Sequence, residues 1–337
     1  MPTTSIPALV LPFLTAAAAA QTLLPTIYTA GNSLNSPGSV MFDATVLDPE
    51  GIVVTGFEVN CENTRNGPVG SIFRIDVYIT SRGGTYVNNT SNPAAWTLVA
   101  TGTAVSNALG TPTPIDTSDF FLPGGTFGLA LNFVIPSGQL GTAFAYTNGN
   151  GTNQQYADAH LQLDCGASSQ GVFTGTTYSP RVFNGGVVYE AGTNAAYGPY
   201  GSGCSGGSPT GAPTLRPAAV DGVPRLGQLW YQDLANLPAA AGGAVMAFGL
   251  TTRVWGPWQL PVDLTMFGMP GCEAYVPPDA SVFFAHGGGS DTYLTALPNA
   301  PAFAGIVMAT QAIVLDAAAT NPVAASMTNL TAGRVGN

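Results

Sequence analysis

The sequence has no lysine, and arginine supplies all eight of its basic residues. Charged residues make up 8% of the 337 residues, against about 25% in an average soluble domain. The formal net charge of −10 has the wrong sign for binding a phosphate backbone or an anionic lipid surface. Composition therefore argues against nucleic acid as a partner and favours a neutral ligand, a cationic ligand or a divalent metal.

Long apolar runs are also missing. No stretch approaches the roughly 20 continuous apolar residues of a membrane helix, so the sequence predicts no membrane span. A shorter run, Ile6–Leu14, leads into Ala16–Ala20, and Ala18-Ala19-Ala20 fits the A-x-A cleavage pattern. Although no Lys or Arg precedes the run, residues 1–20 are predicted to be a signal peptide that is cleaved after Ala20. The protein is then extracellular or attached to the cell surface; the alternative is an apolar helix that stays in the fold.

Residues for catalysis or metal binding are few. The chain has two histidines, and alternation along one strand puts Asp158, His160 and Asp164 on a common face. These three are weak candidates for a metal site, and the solvent-facing side of a half-buried strand is the favoured interpretation. No motif of a calcium loop occurs, so no cofactor is predicted, although calcium stays possible. No catalytic residue is assigned.

Glycine and proline are abundant, with 43 and 27 residues, which favours many turns between short strands. Strand patterns are clear: Phe73, Ile75, Val77 and Ile79 alternate with polar side chains. The predicted fold is all-β, with two antiparallel β-sandwich domains of jelly-roll or Greek-key type.

A segment rich in Gly, Ser and Pro, residues 197–213, divides the chain. Such a segment buries too little apolar surface to offset the entropy of ordering it. The predicted organisation is therefore a signal peptide (1–20), an N-terminal domain (21–196), a junction (197–213) and a C-terminal domain (214–337).

The four cysteines are expected to be oxidised in an exported chain, and three pairings are possible. The junction favours Cys61–Cys165 and Cys204–Cys272, because each bond then stays within one domain. A zinc site is the rival interpretation, but the spacing lacks the C-x-x-C pattern.

Aromatic residues provide the main hint of binding. Trp255-Gly256-Pro257-Trp258 reads as a loop whose two indoles can stack on sugar rings. Tyr231 and Tyr200 are predicted to extend this surface. The alternative is that these rings cover the core.

Three groups of residues resemble a known kind of protein. Leu122-Pro123-Gly124-Gly125-Thr126-Phe127-Gly128 lies in the N-terminal part, and Tyr200-Gly201-Ser202-Gly203-Cys204 and Phe267-Gly268-Met269-Pro270-Gly271-Cys272 lie in the C-terminal part. The chain resembles uncharacterised secreted two-module β-sandwich proteins of environmental Gram-negative bacteria. The resemblance implies the fold and the location, and it carries over no catalytic residues.

Together these features predict a secreted, non-enzymatic protein that is adhesive or binds carbohydrate, with glycan or matrix components as partners. The first alternative is an enzyme acting on extracellular polysaccharide, a glycosidase or a lyase, since catalytic residues can come from distant strands. The second is a purely structural matrix subunit whose sheet edges pair with neighbours.

Overall fold

The computed structural model describes residues 21–29, 31–34, 38–63, 67–136, 142–192 and 194–337. The fold is all-β, as predicted, and three single-turn 3₁₀ helices are its helical elements in these ranges. No helix in these ranges is long and apolar enough to cross a membrane. The predicted signal peptide, residues 1–20, lies outside the described residues.

The strands fall into an N-terminal region, residues 21–192, and a C-terminal region, residues 194–337. The strands of the N-terminal region are β1 (Thr22–Pro25), β2 (Asn32–Ser33), β3 (Ser39–Val46), β4 (Ile52–Val59), β5 (Cys61–Glu62), β6 (Ile72–Thr80), β7 (Trp96–Val105), β8 (Thr113–Leu122), β9 (Gly125–Val134), β10 (Ala143–Asn148), β11 (Gln155–Ala157), β12 (Leu161–Gly171), β13 (Thr174–Tyr178), β14 (Arg181–Phe183) and β15 (Gly185–Glu190). The strands of the C-terminal region are β16 (Ala196–Tyr200), β17 (Thr214–Pro217), β18 (Leu229–Ala235), β19 (Gly242–Gly249), β20 (Val254–Trp255), β21 (Trp258–Gln259), β22 (Val262–Asp263), β23 (Glu273–Ala274), β24 (Ala280–His286), β25 (Ser290–Ala296), β26 (Val307–Leu315), β27 (Ala325–Met327) and β28 (Leu330–Arg334). The 3₁₀ helices are Pro93–Ala95, Thr265–Phe267 and Pro301–Phe303.

The N-terminal region is built on an eleven-stranded antiparallel sheet in the order β1-β15-β4-β8-β7-β6-β9-β3-β12-β11, with β13 beside β12. Between β7 and β8 a single residue pair, Gly102–Thr117, joins the ladder. Strands on both sides of this point bury side chains in the same core, for example Phe57 of β4 and Phe42 of β3. The sheet therefore turns at Gly102, where a Cβ atom would stand 2.4 Å from the carbonyl oxygen of Asp116.

The predicted alternation along β6 is confirmed. Phe73, Ile75, Val77 and Ile79 are all buried in the large core. Because a strand sends successive side chains to opposite faces, this spacing places all four on the inner face of the sheet. The alternation of apolar and polar residues along β6 therefore correctly predicts which of its side chains are buried.

The C-terminal region has a six-stranded sheet, in the order β16-β28-β26-β19-β24 with β27 beside β26, and a three-stranded sheet, β17-β18-β25. The two sheets meet across a small apolar cluster that includes Leu234 of β18, Tyr293 of β25, and Met246 and Val314 of the larger sheet. Each sheet therefore has one face covered by the other sheet, which is a common arrangement for antiparallel sheets.

The two regions are in direct contact. Tyr200, Tyr275 and Leu330 of the C-terminal region belong to the same core cluster as the aromatic residues of the N-terminal region. The fully buried Arg334 of β28 donates hydrogen bonds to the backbone oxygens of Asn194, Glu50 and Gly51.

The first residues of the predicted junction are part of a strand. β16 reaches Tyr200 and pairs with β28, which buries Tyr197 and Tyr200. Residues 201–213 contain no strand, and Cys204 pairs there with Met327 as an isolated bridge.

The structure confirms the disulfide between Cys204 and Cys272, whose Cα atoms are 5.2 Å apart. The second predicted disulfide is wrong for this structure, because Cys61 and Cys165 are both buried free thiols. Cys61 lies on β5, which pairs with β10 in the four-stranded sheet, whereas Cys165 lies on β12 of the eleven-stranded sheet. A disulfide requires two Cα atoms within about 7 Å and converging Cβ vectors, which membership of one domain does not ensure.

Candidate functional site: an exposed aromatic platform

Three aromatic rings of the C-terminal region form a cluster, called here the aromatic platform: Trp255, Trp258 and Phe267. The ring centroids of Trp255 and Trp258 are 5.3 Å apart, and Phe267 lies 6.5 Å from Trp255 and 6.3 Å from Trp258. Trp258 is 41% exposed and Phe267 is 44% exposed. Large rings held together at these separations, yet open to solvent, are typical of binding surfaces.

A short hairpin positions the two tryptophans. Trp255 ends β20 and Trp258 begins β21, and these residues pair directly across the ladder. Gly256 in the intervening turn has φ +58°, a left-handed conformation that glycine adopts without strain. The turn thus places both indoles on the same face of the hairpin.

The third ring stands on a 3₁₀ turn that follows β22. The carboxylate of Asp263 accepts a hydrogen bond from the N–H of Thr265 at 2.7 Å. The Thr265 hydroxyl and N–H lower the pKa of Asp263, because both favour its ionised form. Gly268, with φ +81°, ends the turn directly after Phe267.

The platform rests on the core around the disulfide. Trp255 is partly buried and packs against the cluster that contains Leu264, Cys272 and Met327. Trp258 and Phe267 present their rings to solvent. One indole therefore covers the core and the other is exposed.

The other two predicted binding residues do not join the platform. Tyr200 is only 4% exposed, and its ring lies 6.1 Å from Phe127 in the large core. Its prediction as a surface residue is wrong, because β16 is an ordered strand and its side chains pack inward. Tyr231 is half-buried on β18, opposite Leu294 of β25, in the three-stranded sheet.

A polar cleft of about 560 Å³ lies where the two regions meet, called here the junction cleft. Its N-terminal side includes Arg82, Asn89 and Asn92, and its C-terminal side includes Gly203 and Gly271. Because these glycines directly precede Cys204 and Cys272, the disulfide lies behind this wall of the cleft. Two motifs that are distant in the sequence thereby line one cavity.

An ion pair between Arg82 and Glu273 crosses the junction cleft. The Tyr275 hydroxyl donates to Glu273 at 2.9 Å and accepts a hydrogen bond from the N–H of Ser202. Burial and the Glu273 carboxylate raise the pKa of Tyr275 to about 12. The phenol therefore stays protonated at neutral pH and acts as a hydrogen-bond donor.

The aromatic platform and the junction cleft are separate sites. A second cavity shares Arg82 and Tyr275 with the cleft and extends to Val254 and Gln259 of the hairpin. Val254 and Gln259 are one residue away from the tryptophans, so pleating sends their side chains to the opposite face. The platform faces away from the cleft.

The weak metal candidates are engaged in separate contacts. His160 lies 3.0 Å from Asp48, and Asp158 accepts hydrogen bonds from the Tyr189 hydroxyl and two backbone N–H groups. Asp164 accepts from two glutamine side chains. Within the described ranges, no group of three or more His, Cys, Asp or Glu side chains could hold a metal ion.

Two carboxylates line a further cavity of about 370 Å³ between the regions, Asp119 and Glu190. Arg225 and Asn337 lie on its other side. Partial burial, followed by the nearby Asp116, raises the pKa of Asp119, although its side chain is exposed. A raised pKa is one property of a carboxyl group that acts as a general acid.

Sequence reasoning missed Phe267 and the junction cleft. Phe267 is nine residues beyond Trp258, and only the turn between β22 and β23 brings its ring back to the hairpin. The available signal was the recurrence of Gly-Cys in two motifs, which placed Gly203 and Gly271 close together once the disulfide was inferred.

The geometry defines an all-β protein with an exposed aromatic surface and a polar cleft. A scan against models of protein families finds no match to the chain, and a search of curated proteins finds no match either.

Proposed function

We propose that this protein is secreted and binds glycans through the aromatic platform, as an adhesive or carbohydrate-binding protein of the cell surface or matrix. Export through the signal peptide at residues 1–20 and two sandwich modules of jelly-roll or Greek-key type are parts of the same proposal. The resemblance to secreted two-module proteins of environmental Gram-negative bacteria agrees with it.

The exposure of Trp258 and Phe267 next to the half-covered Trp255 is the observation that carries the proposal. Sugar rings have apolar C–H faces, and a flat aromatic surface binds such a face while hydroxyl groups remain in water. Few charged residues in the chain mean that little charge is desolvated when a neutral glycan binds.

The test is binding of the purified protein to a panel of soluble and insoluble polysaccharides, with and without calcium. Replacing Trp258 by alanine is expected to weaken glycan binding about tenfold, which corresponds to about 1.4 kcal/mol. Phe303→Ala is the matched control, since Phe303 is an exposed aromatic residue on another 3₁₀ turn. Glycan binding that is the same in Trp258→Ala and the unsubstituted protein would contradict the proposal.

A second candidate function is hydrolysis or elimination on extracellular polysaccharide. Asp119 and Glu190 in one cavity, with the raised pKa of Asp119, favour it. The same panel separates the two functions, because an enzyme releases oligosaccharides with new ends whereas a binding protein leaves the polysaccharide intact. Loss of such release in Asp119→Asn would assign the activity to this cavity.

A further inference from the structure

Among the described strands of seven or more residues, the edge strand β24 is the most exposed. β24 is the last strand of the six-stranded sheet and pairs with β19 along one side, from Ala280–Phe248 to His286–Gly242. On its other side, no described residue forms a hydrogen bond with the peptide groups of 280–286. A free strand edge of this length offers a row of donors and acceptors to another strand.

Most side chains of β24 are apolar, and all except those of Phe284 and His286 are exposed. Its sequence, ASVFFAH, has no proline, no acidic residue and no arginine. Val282 is 44% exposed and Phe283 is 63% exposed, although they project to opposite faces of the strand. Phe284 is held by Tyr293, at 5.0 Å between ring centroids. The strand therefore has high β-propensity and keeps its shape without a partner on its outer side.

The strands at the ends of the other sheet orders carry features that block pairing, whereas β13, which lies beside β12, has five residues and carries none of them. Proline occurs in β1, β16 and β17, at Pro25, Pro199 and Pro217. β25, at the edge of the three-stranded sheet, contains Asp291, and β11 has only three residues. Proline, charge and short length are the usual means by which proteins protect sheet edges. β24 has none of these features.

We propose that β24 of one copy pairs antiparallel with β24 of a second copy, about a twofold axis through Phe283, and that the protein dimerises by this pairing. This register sets Phe283 opposite Phe283 and Val282 opposite Phe284. A twofold interface uses the same patch on both copies, so a self-complementary strand satisfies it.

Charge does not oppose pairing at this edge. Two copies of a chain with a net charge of −10 repel each other overall, but β24 itself contains no acidic residue and no arginine. In the proposed register, Asp279, the acidic residue next to the strand, comes opposite Gly287 of the second copy. No pair of like charges therefore faces across the ladder, which would destabilise it.

The first experiment measures the mass of the full protein by sedimentation velocity from low to high micromolar concentration. The unsubstituted protein is expected to form a concentration-dependent dimer. Phe283→Lys and Phe283→Glu are each expected to be monomeric, because the register places the new charge opposite itself. An equimolar mixture of the two variants should regain the dimer through a Lys–Glu pair at this position.

Leu98→Lys and Leu98→Glu are the matched controls, since Leu98 is a half-exposed aliphatic residue on β7, which pairs with β6 on one side and packs beside β8 on the other. These variants should dimerise as the unsubstituted protein does. A protein that stays monomeric at every concentration, or a dimer that survives Phe283→Lys, would overturn the proposal. Binding of a foreign strand by a monomeric protein would overturn it equally.

A cysteine variant tests the register if a charged variant fails to fold. Under oxidation, Phe283→Cys should form a covalent dimer, because directly opposite Cβ atoms lie about 4.5–5.5 Å apart in an antiparallel pair. Leu98→Cys should stay monomeric under the same conditions. Equal amounts of covalent dimer from both variants would show that collision alone accounts for the crosslink and would refute the register.

Discussion

The two regions of the molecule bury their apolar side chains in different ways. The N-terminal region packs most of its strands around one large core, and Cys61 and Cys165 remain thiols inside it. Apart from the residues that join this large core, such as Tyr200, Tyr275 and Leu330, the C-terminal region divides its buried side chains among three smaller clusters, around Met246, Cys272 and Trp230. A large core stabilises a fold by burial alone, whereas small clusters gain from a crosslink. The disulfide lies where the cores are small.

The regions also differ in what they expose. Among the described residues, the phenylalanines and tryptophans with strongly exposed side chains, Trp258, Phe267, Phe283 and Phe303, all belong to the C-terminal region. The large hydrophobic side chains exposed in the N-terminal region are aliphatic. Exposed rings mark interaction surfaces more strongly than scattered aliphatic residues do. The exposed rings thus lie in the C-terminal region, and most of the buried core lies in the N-terminal region.

Among the predicted changes, removing the disulfide should lower the stability of the C-terminal region the most. The variant Cys204→Ala/Cys272→Ala removes a crosslink between residues 68 apart, which the chain-entropy model values at about 4 kcal/mol. Urea unfolding followed by tryptophan fluorescence should show the loss in the C-terminal region, which contains Trp230, Trp255 and Trp258.

Cys61→Ala/Cys165→Ala is the control for this experiment, because it removes two thiols without opening a crosslink. Reduction should destabilise that control variant as much as the unsubstituted protein. If reduction leaves the urea midpoint of the control unchanged, the disulfide is not what stabilises the C-terminal region.

Removing the arginine that joins the regions should have the next largest effect. Arg334→Met leaves the buried carbonyl oxygens of Asn194, Glu50 and Gly51 without their donor. The expected loss is about 3 kcal/mol of unfolding free energy, since each unsatisfied buried acceptor costs about 1–3 kcal/mol and water can reach some of them. Arg216→Met, at an exposed position of β17, should change stability by less than about 0.5 kcal/mol. Equal effects of the two variants would show that Arg334 does not hold the regions together.

Near neutral pH the smallest effect is that of the two thiols of the large core. Burial raises the pKa of Cys61 to about 11 and that of Cys165 to about 12, against about 8.5 in an unfolded chain. The pKa values of both thiols are higher in the folded protein than in the unfolded chain. Their contribution to stability is therefore complete below pH 8.5 and is lost as the pH rises towards 11–12. Urea midpoints measured over this range should fall with increasing pH, and less so in Cys61→Ala/Cys165→Ala.

Thiol counting tests the same two cysteines directly. The folded protein should react slowly with a disulfide reagent at pH 8, because the thiolate is the reactive form. In denaturant and without reductant, two thiols per chain should react, and four after reduction. No reactive thiol in the unreduced, denatured protein would mean that Cys61 and Cys165 are joined after all.

Sequence alone determined the features that depend on neighbouring residues. The alternation of Phe73, Ile75, Val77 and Ile79 required a strand with one buried face, because successive side chains in a strand point to opposite sides. The Gly-Pro turn between Trp255 and Trp258 was sufficient to place two indoles together. Cys204 and Cys272 were paired correctly by keeping each bond within one domain, although the same rule predicted the Cys61–Cys165 bond that the structure lacks.

Tertiary structure alone decided which faces and edges are covered. The residues of β24 favour a strand, but its position at the end of a sheet follows from the pairing of β19 with β26, which is remote in sequence. Tyr200 is buried, and Cys61 and Cys165 lie in different sheets, because of the order in which strands assemble. Period-2 patterns carry no information on that order, because alternation records that a face is covered and not which segment covers it.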